Sequence, residues 1–399
     1  MAEGQKGGLQ IHARRERALV RAADALLAPL AWRRPRPAPK VVRRVLLMRL
    51  ERIGDLLMVL DAIADARAAW PDAAIDLAVG SWNAPLAALI PGIREVLVAD
   101  VPWLAREGTG DRWATLLARA RTWRKRDYEV VVNFEPDVRS NVLAWRTGAP
   151  VRAGYWTGGG GALLTLALEY QPSRHTAVNA RELIARTSGR PVPAANPAVA
   201  ARPSLVPPTA AVARANEVLG EAQRPLIGMH VSGGRPSKQW HLDRFATAAR
   251  ALAARHGGTI VLTGGPGDRA MLDRVRADLA GVAIVDAGGA LDLPALAALL
   301  AKLDVLVTGD TGPMHLAAAM GTPVVALFGP SNPARYGPTG TGHHVLRVQL
   351  PCSPCGQVRL PPERCRGRVP ECLDGIDTDR VVRAASEVLV MRRSTASWP

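Results

Sequence analysis

The densest run of chemistry-bearing residues is Thr308-Gly309-Asp310-Thr311-Gly312-Pro313-Met314-His315-Leu316-Ala317-Ala318-Ala319-Met320-Gly321. An apolar run ends at Val307 and a glycine-bearing turn follows. The Ala-rich stretch from Pro313 then predicts a helix that closes by Gly321. The first N–H groups of such a helix are unpaired and lie at the positive end of its dipole. That suits a diphosphate held against Gly309, Asp310, Thr311 and Gly312. The plainer alternative is a strand–turn–helix with no ligand. An aspartic-protease Asp-Thr-Gly is excluded, because a helix and not a β-hairpin follows at once. In the same half, Val231-Ser232-Gly233-Gly234-Arg235-Pro236-Ser237-Lys238-Gln239-Trp240 follows another strand. Glycine lets the backbone around Ser232 and Gly233 approach a phosphate, and Lys238 can neutralise a departing diphosphate. A surface loop with a solvated lysine is the alternative. A third loop, Thr263-Gly264-Gly265-Pro266-Gly267-Asp268, falls on the same edge. None reads GxGxxG and there is no Walker A sequence, so neither dinucleotide nor P-loop chemistry is indicated.

In the first half, Arg49-Leu50-Glu51-Arg52-Ile53-Gly54-Asp55-Leu56-Leu57 joins a strand to a helix. Gly54 supports a sharp turn, and Asp55 opens the helix, where a carboxylate is ordinarily a cap. It also leaves the C-terminal edge of a strand, toward the gap that phosphate loops of a second lobe would face. There it can serve as general base for an acceptor hydroxyl, with Glu51 in reserve. All four cysteines fall in one short stretch, as Cys352-xx-Cys355, Cys365 and Cys372. They read either as a structural zinc site or as reduced thiols, the second pair being spaced more widely than is usual for ligands. Four thiolates leave no open position, so catalytic zinc is not expected.

These residues need a scaffold that repeats one pattern twice. Val45–Leu50, Ala74–Val79, Val96–Val98 and Glu129–Phe134 read as strands, and Asp55–Ala69 as a helix. After the proline-rich stretch Arg190–Pro208 the alternation restarts. Pro225–His230, Thr259–Thr263, Val282–Val285, Val305–Val307 and Val324–Phe328 are strands, and Leu242–His256 is a helix. The expected fold class is α/β, with two Rossmann-like doubly wound domains facing each other across a cleft. The expected organisation is a basic amphipathic extension over 1–40, an acceptor domain over 41–190, a linker over 191–208 and a donor domain over 209–399.

The chain has 399 residues and is 48% hydrophobic, which excludes wholesale disorder. No apolar run approaches the roughly 18–20 residues of a membrane span, and no early apolar stretch marks a signal peptide, so a cytoplasmic location is expected. The formal net charge is +16, and residues 1–44 hold 11 basic against 3 acidic residues. An anionic acceptor or docking surface is implied. No nucleic-acid motif accompanies the charge, so a nucleic-acid partner is not expected. Residues 9–31 read as a helix with Arg14, Arg17 and Arg21 on one side and Leu19, Ala23, Leu26 and Leu30 on the other. It either packs on its own protein or lies in peripheral contact with an anionic membrane.

Three segments together carry a resemblance. They are Arg-xxx-Ile-Gly-Asp-Leu-Leu near the start, Ser-Gly-Gly…Lys-Gln-Trp in the middle, and Thr-Gly-Asp-Thr-Gly-Pro-Met-His through Gly-Thr-Pro-Val-Val-Ala-Leu-Phe-Gly-Pro. Over roughly Val41 to Val390 the chain resembles glycosyltransferase family 9, the lipopolysaccharide heptosyltransferase family with the two-lobed GT-B fold. The resemblance implies inverting transfer from ADP-heptose to a lipid A–inner-core acceptor, with no metal or other cofactor in catalysis. Asp55 matches the family's general base and Lys238 a donor-phosphate contact. Asp310, Thr311, Gly312 and His315 match the donor-binding turn, and Asp268 the acid that holds the ribose. The extended basic N-terminus departs from the family pattern. Transfer of another sugar, nucleotide-sugar epimerisation and an inactive nucleotide-sugar-binding scaffold stay open as alternatives.

Overall fold

The computed structural model describes residue 9 and residues 14–29, 41–103, 110–192, 205–358 and 361–395. The chain divides into two compact units, Met1–Ala195 and Asn196–Pro399.

The first unit is built on six strands, β1 (Arg44–Met48), β2 (Ala74–Val79), β3 (Glu95–Val98), β4 (Val130–Asn133), β5 (Val151–Tyr155) and β6 (Leu166–Leu168). They lie parallel in the order β3-β2-β1-β4-β5-β6, with Val45 between Ile75 and Val130. Parallel strands need crossovers, and helices on both faces bury them. That is why Val45–Met48 and Val130–Val132 are continuous apolar runs, all buried. The single helix expected over Asp55–Ala69 is two, Ile53–Leu57 and Leu60–Ala69. Leu56, Leu57, Met58, Val59 and Leu60 are all buried. Five consecutive apolar residues cannot share one face of a straight helix, and the break lets every one turn inward. Helix Leu60–Ala69 packs on helix Thr176–Ser188, where Arg181 Nε meets Asp65 Oδ2 at 2.7 Å. Asp76, fully buried in β2, is balanced by Arg94 at 2.5 Å and the Tyr128 hydroxyl at 2.5 Å, a structural pairing.

The second unit repeats the plan with β7 (Leu226–His230), β8 (Thr259–Thr263), β9 (Ile284–Asp286), β10 (Val305–Gly309), β11 (Val324–Leu327) and β12 (His344–Leu346). The order is β12-β11-β10-β7-β8-β9, again parallel. Alanines of helix Leu242–His256 allow close approach to the sheet, and the C-terminal helix Thr378–Thr395 packs beside it. Trp240 anchors this side, standing edge-on to Phe245 and donating its indole N–H to the Ile376 carbonyl at 3.1 Å. In each sheet the winding reverses beside the first strand, between β1 and β4 and between β7 and β10. Loops there leave in opposite directions and open a crevice at the carboxyl ends of the strands.

The N-terminal helix is observed over Arg14–Leu27, while Leu30 and the rest of residues 30–40 lie outside the described residues, as do 193–204 of the expected linker. Its leucine side is not the side that packs. Val20 is buried and Asp24 accepts the Gly160 N–H, whereas Leu19 and Leu26 point outward. The pull of a fixed partner, the glycine turn at 159–160, decides which side is inner, and helical period alone cannot. No helix among the described residues is long and apolar enough to cross a membrane.

Candidate functional site

Three loops leave the carboxyl ends of the adjacent strands β10, β7 and β8, as their spacing predicted. After β10, Asp310 and Thr311 lead into helix Gly312–Ala319, with Pro313 in its first turn. Thr311 is extended and caps no N–H with its side chain; its hydroxyl faces that of Thr308 at 3.2 Å. The amides opening this helix are therefore not taken by that cap, as an anion site requires. His315, one turn along, is buried.

After β7, the Ser232–Trp240 loop folds tightly on itself. Gln239 is the brace, accepting the Gly233 N–H at 2.7 Å while donating to the carbonyls of Val231 at 2.7 Å and Trp240 at 2.8 Å. A Cβ on Gly233 would lie 2.6 Å from the Lys238 carbonyl, so only glycine admits this approach. The Ser232 hydroxyl accepts the Gly234 N–H at 3.3 Å. Lys238 reaches across the β7–β10 crevice, its Nζ 2.7 Å from Asp310 Oδ2, both side chains largely buried. Residues from two of the expected phosphate loops thus meet in one ion pair. Asp268, in the loop after β8, accepts the Gly265 N–H at 2.8 Å and caps its own turn.

Sequence reasoning missed His230, at the end of β7 between these loops. It is buried, shares a 3.2 Å hydrogen bond with the Thr263 hydroxyl, and burial holds its pKa down at about 4, against the pull of Asp268. The imidazole is neutral at physiological pH. A histidine closing an apolar strand was the available signal.

In the first unit the candidate acids sit at the β1–β4 crevice around Arg49, which is only 3% exposed. Its guanidinium meets Glu51 Oε2 at 2.8 Å and Asp55 Oδ1 at 3.4 Å, and donates to the carbonyls of Phe134 at 2.7 Å and Asp55 at 3.1 Å. Asp55 is also the cap of its helix, accepting the Arg52 N–H at 3.2 Å, yet its side chain stays 26% exposed. The cap and the available carboxylate are one residue. Two members were not foreseen. Arg49 is the clamp, and its signal was a charge continuing an apolar strand. Glu135 is fully buried and accepts the Leu50 N–H. Burial, and then the Glu51 charge, push its carboxyl well above the usual range, against the pull of Arg49.

The four cysteines line one cavity with Ser237, Pro330, Pro361, Pro362 and Pro370. Burial first, and then the other three sulfurs, push the Cys372 thiol up to about 11. All four are free, and no three His, Cys, Asp or Glu among the described residues are gathered as a metal-binding group. The same segment is tied to the lysine loop, since the Ser237 hydroxyl donates to the Val358 carbonyl at 2.9 Å.

The profile of glycosyltransferase family 9 (heptosyltransferase) matches residues 116–362, more than half of the chain. The chain belongs to glycosyltransferase family 9. It is a glycosyltransferase, similar to lipopolysaccharide heptosyltransferase 1 of Pseudomonas aeruginosa, 26% identical over 78% of this chain and 86% of that one. Its fold is that of the family 9 glycosyl transferase from Veillonella parvula, at a TM-score of 0.76 and 24% identity over 88% of this chain and 99% of that one. The Escherichia coli ADP-heptose lps heptosyltransferase II shares it too, at a TM-score of 0.69 and 20% identity over 88% and 99% of the respective chains. The family 9 assignment and the GT-B fold class expected from the three segments are both borne out.

Proposed function

We propose that this family 9 enzyme transfers heptose from ADP-heptose to a hydroxyl of a lipopolysaccharide core-type acceptor, with inversion and without a metal ion in the chemical step. The Lys238–Asp310 pair at the β7–β10 crevice carries this reading. It sets a cation beside the amino end of helix Gly312–Ala319, and together they supply the positive charge that a divalent ion would otherwise give a departing diphosphate. The relatives' names supply heptose, ADP-heptose and lipopolysaccharide. A lipid-linked acceptor places the enzyme at the cytoplasmic face of the inner membrane.

The diphosphate lies on the amides around Gly312 and on Lys238, beside Ser232 and Gly233. Asp268 and His315 complete the donor contacts. The acceptor hydroxyl attacks the anomeric carbon from the face opposite the phosphate, and Asp55 takes its proton. As the new C–O bond forms, the bond to the phosphate oxygen breaks and ADP leaves with the electron pair. Arg49 fixes the Asp55 carboxylate, and Glu51 shares that clamp.

Assay with ADP-heptose and a core-type acceptor tests the whole reading. Turnover with ADP-heptose that survives chelation supports it, and metal analysis of the same sample reads whether the four cysteines hold zinc. Conversion of donor without acceptor would instead reveal an epimerase. Donor binding without product across a panel of acceptors would leave a scaffold.

A further inference from the structure

We propose that the outward face of helix Arg14–Leu27 is a docking surface for an anionic lipid bilayer. This rests on the reading that the acceptor is lipid-linked, which gives the enzyme a reason to sit on a membrane. The helix is a fixed part of the first unit. Its inner side is pinned where Asp24 Oδ1 accepts the Gly160 N–H at 2.5 Å and Val20 is buried over Gly159. A Cβ on Gly159 would stand 2.3 Å from Val20 Cγ1, so the turn admits the helix only because it lacks a side chain there.

The opposite side is apolar and uncovered. Ala18, Leu19, Ala22, Ala25 and Leu26 are all exposed, Leu19 by 71% and Leu26 by 81%. At 3.6 residues per turn they share an arc of about 120°. Exposed Arg15 lies within that arc and exposed Arg21 about 40° beyond one edge, while Asp24 is turned inward and Glu16 lies about 60° beyond the other edge. Exposed leucines with an arginine among them and another alongside, on a pinned helix, are the chemistry of an interfacial segment. The side chains enter the headgroup boundary as the guanidinium groups meet lipid phosphates. The whole stretch 1–44, helix included, is basic, with 11 basic against 3 acidic residues. A second copy fits poorly, because pairing two such faces sets arginine against arginine. Nucleic acid offers nothing to the leucines.

The test is sedimentation of the full chain with vesicles of phosphatidylcholine, alone or with a quarter phosphatidylglycerol, at low and high salt. Binding at least about tenfold tighter to the anionic vesicles, weakened by salt, is expected. L19E/L26E should lower that binding by about tenfold or more, as should R15E/R21E. All four positions are exposed, so melting temperature should hold, as should turnover on a water-soluble acceptor fragment. Equal binding to both vesicle types, or full binding by L19E/L26E, would overturn the proposal. So would a self-associated form that L19E/L26E disperses while vesicles bind nothing. Vesicle binding is read without donor or acceptor. A protein inactive with ADP-heptose that still sediments with anionic vesicles would sink the heptosyl-transfer reading and leave the docking face standing.

Discussion

Asp55 holds two offices, and its substitutions separate them. As a cap it accepts the Arg52 N–H, and as a carboxylate it stands against Arg49. Asp55→Asn keeps an oxygen for the cap and removes the base. Turnover should fall by about 10²-fold or more while the melting temperature and ADP affinity hold. Near-normal turnover would show that another group takes the proton. His230 makes a second prediction, on stability. Its folded pKa of about 4 lies below the ordinary 6.5, so the unfolded chain takes up the proton first. The neutral imidazole's contribution is complete above about pH 6.5 and is lost as pH falls toward 4, by about 3 kcal/mol at the limit. Denaturant melts at pH 7.5 and 4.5 should show that loss. His230→Gln, which keeps a partner for Thr263 without titrating, should flatten it.

The loop after β7 works through its shape. Gly233→Ala would press a methyl group on the Lys238 carbonyl, and the loop must open to relieve it. We expect ADP binding to weaken by about tenfold or more, with little change in overall stability, since the strain is confined to one turn. Calorimetric titration with ADP reads this directly, and an unchanged dissociation constant would show that the loop does not hold phosphate. Ala74–Val79, Thr259–Thr263 and Leu242–His256 were legible in the sequence to the residue, because long apolar runs bounded by turns leave little choice. Strands β5, β6 and β12 went unseen: β6 and β12 have three residues each, and Arg152 and Gly154 interrupt the apolar run of β5. The phosphate loops were legible for a related reason, since glycine and proline report backbone geometry locally. Arg49 and Glu135 were not. Their meeting depends on β1 and β4 lying side by side although about 80 residues separate them, a fact of sheet order that no local pattern holds.

Each unit carries its own sheet, core and crevice, so the division of labour can be tested by separation. The second unit, expressed from residue 205 onward, should fold and bind ADP with an affinity close to that of the whole chain. Failure of a folded second unit to bind would move the donor site elsewhere. Within the first unit, Asn141 donates to the carbonyls of Tyr155 at 3.1 Å and Gly159 at 2.8 Å, and Asn133 donates to Asn141 at 2.8 Å. The carboxyl end of β4 and the turn that seats the N-terminal helix are thereby parts of one polar frame.

The contact between Lys238 and Asp310 means that this cation already has a tenant. Any phosphate that claims it must outbid a carboxylate at close range, so a weakly charged newcomer gains little from the exchange. ADP, with two phosphoryl groups to lay across the lysine and the helix amides together, can win that contest where AMP, offering one, cannot. An affinity gap between these two nucleotides of well over tenfold, narrowing in Lys238→Gln, would be the mark of such a turnstile.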